Sequence, residues 1–178
     1  MVRFLALIAV VFLSYTANAQ LFSTKSGTIS FSSSTPLEDI YAKTTEMESK
    51  LLSTTGQVTF TLLVKGFRFE NELMEEHFND SYLETTKFPK ADFKGVITNI
   101  NSINFSKDGT YPASVKGNLT IHGVTKEVLT MGTIVVKDGK PSAKCKFSIR
   151  LRDYNIGGKM IGKEIAENMN IMVDCRYD

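Results

Sequence analysis

The chain has 178 residues, with 21 Lys and Arg against 19 Asp and Glu, a formal charge of +2. A balance this close to neutral makes no electrostatic case for binding nucleic acid. Its two histidines and two cysteines do not fall at metal-ligand spacing, so no metal site and no cofactor are expected.

The first residues read as a targeting label. Arg3 supplies one positive charge, Phe4 to Leu13 form an apolar run, and Ala17-Asn18-Ala19 has the small-x-small pattern of a signal-peptidase site. Cleavage is expected before Gln20. The apolar run is well short of the ~20 residues that span a bilayer, so residues 1–19 read as a cleaved signal peptide and the mature chain carries no membrane span. The destination is the periplasm or the outside of the cell. Residues 20–178 contain no Pro/Gly linker, low-complexity tract or repeat, and are read as one domain.

Gly27 to Ser33 alternates in polarity and reads as a first strand. Thr35-Pro36-Leu37-Glu38 has the residues of a helix start, a Thr cap, Pro in the first turn and Glu three positions after the cap. Ile40 to Leu52 fits either that helix or an irregular second strand. Gln57 to Lys65 is a strand with Val58, Phe60, Leu62 and Val64 on one face. Ala91 to Ile103 is another, and its slip in parity between Phe93 and Val96 predicts a bulge.

Between these two strands the period changes. Glu70 to Phe78 places Leu73, Met74, His77 and Phe78 on one helical face, with acidic residues mostly on the other. Asp80-Ser81 can cap a further turn, and Phe88-Pro89 ends it. The insert from Gly66 to Phe93 carries Phe67, Phe69, Phe78, Tyr82, Phe88 and Phe93, the composition of a lid that covers or gates an apolar interior.

The stretch Tyr111 to Val136 reads as a long hairpin turning at His122-Gly123. Each arm runs to about a dozen residues, roughly 40 Å at ~3.3 Å per residue. Lys144 to Arg152 and Met169 to Tyr177 alternate cleanly and complete the set. About eight antiparallel strands are expected, the number at which a closed barrel interior holds one small ligand or is filled by its own side chains.

The segments Leu119-Thr-Ile-His-Gly-Val-Thr-Lys126, Met74-x-x-His77-Phe78 with Tyr82 and Lys87-Phe-Pro-Lys-Ala-Asp-Phe93, and Asp153-Tyr-Asn-Ile156 occur in that combination. Together they resemble the YceI-like family, and Ser33 to Ile40 resembles its shorter bacterial members. The resemblance implies an exported, lipocalin-like, closed antiparallel eight-stranded β-barrel. Its elongated cavity would hold a polyisoprenoid chain, such as an isoprenoid quinone or a polyprenyl phosphate. It brings no established catalytic residues, and a homodimer is an option because relatives are often dimeric. The implied function is a non-enzymatic binder or carrier of an apolar lipid. The alternative is an exported structural or interaction module with a filled barrel. No nucleophile or acid/base constellation in the chain argues for an enzyme.

The residues expected at the cavity or its lid are Phe60, Leu62, Phe67, Phe69, Met74, Phe78, Tyr82, Phe88, Phe93, Tyr111, Leu119, Phe147 and Ile171. For the insert aromatics the alternative is simple seating of the helix on the barrel. His77 is a candidate for a lipid head group, against a local packing role. So is Lys126, which faces Leu119 if Ile121 faces Val124, against a side chain that snorkels to solvent at the rim. Cys145 and Cys175 share inward parity. If Leu151 pairs with Met169, the two cysteines meet across the strands as a disulfide candidate; otherwise they are buried thiols.

Overall fold

The computed structural model describes residues 19–178; the expected signal peptide, except Ala19, lies outside these. Eleven strands form one antiparallel sheet: β1 (Leu21–Thr24), β2 (Gly27–Ser34), β3 (Asp39–Thr44), β4 (Met47–Leu52), β5 (Gln57–Leu63), β6 (Arg68–Phe69), β7 (Lys90–Ile97), β8 (Gly109–Ile121), β9 (Val124–Lys137), β10 (Lys140–Arg150) and β11 (Asn168–Arg176). Their order across the sheet is β1-β4-β5-β7-β8-β9-β10-β11-β2-β3-β6. Among the described residues the one α-helix, α1 (Glu72–His77), lies in the insert between β5 and β7.

The expected closed eight-stranded barrel is corrected to a strongly curled half-barrel of eleven strands. Of the three added strands, β1 and β6 are two, and the stretch Asp39 to Leu52 supplies the third. It is a strand interrupted at Thr45-Glu46, so that its first half, β3, pairs with β2 and its second half, β4, pairs with β5. The two limbs of the sheet are therefore joined through the chain at that break. The helix start expected at Thr35 is also corrected. The Thr35 hydroxyl accepts from the Leu37 and Glu38 amides, as a helix cap would, but it serves the loop of the β2–β3 hairpin. Capping chemistry is local, and here the alternation after Glu38 continues it as a strand.

The β8–β9 hairpin has the register the parity predicts, with Ile121 opposite Val124 and Leu119 opposite Lys126. His122 (φ 51°) and Gly123 (φ 73°) supply the paired left-handed conformations of a tight two-residue turn. The bulge expected between Phe93 and Val96 is absent. β7 runs in unbroken register with both neighbours, and the inward position that broke the pattern is Gly95. Gly95 stands opposite Gly117, and the Phe93 ring lies over both. An added Cβ at either glycine would come within 2.6 Å of that ring.

In the insert, the Asn71 side chain caps α1 by accepting from the Leu73 and Met74 amides, and a wider π turn, Phe78–Tyr82, continues it. Of the face expected to be apolar, Met74 and Phe78 turn inward, while Leu73 is 57% exposed and His77 is exposed. Phe78 packs against Phe31, Phe67 and Phe69 at ring separations of 5.4, 5.8 and 5.1 Å, which anchors the insert to the sheet.

Candidate ligand cavity

The inward-facing residues enclose a cavity of about 170 Å³ lined from β2, β4, β5, β7, β8, β9, β10 and β11 and from the insert. Its walls are almost wholly apolar. Among the expected residues, Phe60 and Leu62 reach it from β5 and Phe93 from β7. Leu119 and Phe147 reach it from β8 and β10, Ile171 from β11, and Phe67 and Phe78 from the insert. The Asp92 carboxylate on its margin accepts a hydrogen bond from the Thr61 hydroxyl at 2.8 Å.

A second chamber, about 210 Å³, lies beneath the insert and contains three further expected contacts, Phe69, Met74 and Tyr82. The two chambers share Phe78, Leu83, Ile121 and Ile171, so one thin apolar wall separates them. The outer chamber carries two carboxylates, Glu38 and Glu164, and His77; Glu164 and His77 are exposed and stand at its mouth. Its far wall comes from the segment after β10, through Leu151, Ile156, Met160 and Ile165. Sequence reasoning gave that segment no place in the site. Its signal was a run of spaced apolar residues with no strand alternation.

Three expected residues sit elsewhere. Phe88 packs outside both chambers against the hairpin turn, its ring 4.4 Å from that of His122. Tyr111 lines neither chamber; it is half-buried and its hydroxyl donates to the Lys107 carbonyl. Lys126 is exposed and lines a groove on the outside of the sheet, so its stem has the predicted cross-strand partner while its amine reaches solvent.

His122 is a fastening point rather than part of a chamber. Its imidazole is 2.9 Å from the Glu84 carboxylate and 3.2 Å from the Tyr154 carbonyl. One side chain thereby ties the insert, the hairpin tip and the segment after β10 together. Glu84 adopts φ 43° at this junction, a conformation that non-glycine residues hold only when the surroundings enforce it.

The expected pairing of the cysteines is corrected. β10 leaves its ladder at Arg150, and Leu151 begins a 3-10 turn, so Met169 pairs with Ile149 and not with Leu151. This two-residue difference puts Ala143 opposite Cys175 and Val173 opposite Cys145, and both thiols are free. Burial pushes the Cys145 thiol up from 9.0 to about 11, and a charge on Cys175 adds to this. Burial raises Cys175 to about 11 as well, against the opposing hydrogen bonds from Tyr177 and the Ala143 backbone. Tyr177 is raised too, first by burial, and its hydroxyl lies 2.9 Å from the Ser49 hydroxyl. All three groups are neutral when folded and ionise more readily when unfolded. The contribution of the two thiols to stability is complete below pH 9 and falls away as pH rises from 9 through about 11, while that of Tyr177 begins to fall only above pH 10. Urea denaturation between pH 7 and 11 should show a midpoint that declines above pH 9, with a shallower decline in Cys175→Ala.

The family model for the YceI-like domain matches residues 12–177. The chain belongs to the YceI-like family. Solved structures similar to this YceI-like chain include a polyisoprenoid-binding domain from Saccharophagus degradans implicated in plant cell wall breakdown. That domain has 12% identity and a TM-score of 0.75, and the match covers 89% of this chain and 97% of the domain. Burkholderia cenocepacia BcnA is similar at 14% identity and TM-score 0.68, over 86% of this chain and 96% of that one. A Campylobacter jejuni YceI protein is similar at 14% identity and TM-score 0.61, over 82% and 89%. No curated protein sequence matches the chain significantly.

Proposed function

We propose that this YceI-like protein is an exported, non-enzymatic binder or carrier of an apolar lipid, an isoprenoid chain of the polyprenyl or quinone type held inside the curled sheet. The observation that carries this reading is the apolar tract formed by the two chambers, divided only at Phe78, Leu83, Ile121 and Ile171. A flexible hydrocarbon needs no directional contacts, because each CH₂ withdrawn from water contributes about 0.8 kcal/mol. Polar groups are needed only where a head group emerges, and the outer chamber supplies His77 and Glu164 at its mouth and Glu38 in its lining. The polyisoprenoid-binding activity named for the Saccharophagus relative supports the same choice of ligand. Among the described residues no helix is long and apolar enough to cross a membrane.

The test is native mass spectrometry of the protein from its periplasmic or secreted fraction, followed by organic extraction. A stoichiometric apolar ligand is the expected result. A clean protein mass that does not change on incubation with polyprenyl lipids and quinones would replace the carrier with a filled-core interaction module.

Phe78→Ala separates lining from seating. Its ring walls both chambers, so retention of the extracted lipid should fall by about 10- to 100-fold. Stability in urea should fall by only about 2 kcal/mol, the transfer value of a partly buried Phe. A stability loss with unchanged retention would assign Phe78 to packing alone.

A further inference from the structure

The wall of the half-barrel is not evenly sealed. β9 pairs with β8 from Val124 to Val136, but with β10 only from Gly132 to Lys137. The last rung, Gly132 opposite Cys145, is tight: a Cβ at Gly132 would lie 2.8 Å from the Lys144 carbonyl oxygen. Two residues beyond Gly132, the Thr130 hydroxyl shares its one proton between the Met131 carbonyl and, across the gap, the Lys146 carbonyl, each at 3.3 Å. From there Val124–Met131 and Lys146–Arg150 have no ladder between them. An outer groove of about 820 Å³ occupies the separation, and it shares Val115, Val128, Thr130 and Phe147 with the inner cavity. Those four side chains are the one layer between the groove and the interior.

We propose that this gap between β9 and β10 is the lateral portal through which an apolar chain enters and leaves the inner cavity. The competing route, beneath the insert, is the better fastened of the two. It is held by the cluster of Phe31, Phe67, Phe69 and Phe78, by the Arg68–Glu75 ion pair, and by the His122 bridge to Glu84. Opening it breaks all of these together, whereas between Val124–Met131 and Lys146–Arg150 the one hydrogen bond is that of the shared Thr130 hydroxyl, and the His122–Tyr154 contact holds only the far end of the gap. Its outer mouth suits a lipid-bearing surface. Leu129 and Met131 stand 70% and 62% exposed, beside the exposed cations Lys126 and Lys146.

The cargo rests on the carrier reading, but the opening is testable without lipid, because Cys145 lines the cavity beside the gap. In a Cys175→Ala background, alkylation of Cys145 by N-dodecylmaleimide, a single-chain reagent, reports passage. Val128→Trp should slow alkylation by about tenfold by filling the passage. Thr130→Val should speed it by about fivefold, the change one ordinary hydrogen bond confers. Urea melts of each variant separate passage from global unfolding. Rates unchanged by Thr130→Val, or by a folded Val128→Trp, overturn the portal. If the rates respond while the purified protein retains no lipid, the portal stands and the carrier reading fails; retained lipid with unresponsive rates gives the converse.

Discussion

Replacing Phe22 with Ala lowers the free energy of unfolding by about 3 to 5 kcal/mol, the loss found when a fully enclosed aromatic leaves a cavity behind. Phe22 is 1% exposed and packs against Phe105 and Tyr177 at ring separations of 5.3 and 6.4 Å. Its strand, β1, is only four residues long, and pairs with β4 alone in the ladder, placing Phe22 opposite Leu51. The Asp178 amide donates to the Ser23 carbonyl, so the same residues also fasten the C-terminus. The cavity opened at Phe22 has rigid neighbours on three sides and little means of collapsing. Urea denaturation at neutral pH measures the effect; a loss below about 1 kcal/mol would show that β1 is not part of the cooperative core.

Gly117→Ala is expected to cost about 3 kcal/mol, at the upper end of overpacking, for the addition of one methyl group. The new Cβ would lie 2.5 Å from the Gly95 Cα and 2.6 Å from the Lys94 carbonyl oxygen, both backbone atoms that cannot step aside. It would also meet the Phe93 ring at 2.5 Å, and that ring lines the inner cavity. The substitution therefore acts on two levels. It strains the β7–β8 ladder and drives Phe93 from the cavity wall. Urea melts test the first and the yield of extracted lipid the second. A variant as stable as the parent would mean that the two strands separate freely at this pair.

Much of the candidate site was legible because inward and outward positions alternate locally along each strand. Phe60, Leu62, Leu119, Phe147 and Ile171 belong to the interior by that alternation, and all five line the inner cavity. The His122-Gly123 turn set the β8–β9 register, since a two-residue loop leaves no freedom in which residues face each other. The register of β10 with β11 was not legible. No tight turn joins them, and the departure of Leu151 from the ladder depends on the chain beyond it. Phe88 and Tyr111 have the composition of lining residues, but each found a partner outside the chambers, the His122 ring and the Lys107 carbonyl.

The sequence by itself therefore determined the antiparallel all-β class, the long central hairpin, the aromatic insert and the apolar character of the inward face. These follow from side-chain alternation and turn chemistry within a few residues of one another. Only the tertiary structure decided that the sheet has eleven strands and joins its limbs through Thr45-Glu46. It alone decided that the cysteines stand two residues out of line, that the segment after Leu151 walls the outer chamber, and that β9 and β10 part beyond Gly132. Each of these is a relation between strands or segments that pack together. Such relations are set by the sum of long-range packing and by steric contacts such as the close approach at Gly132, which no local pattern encodes.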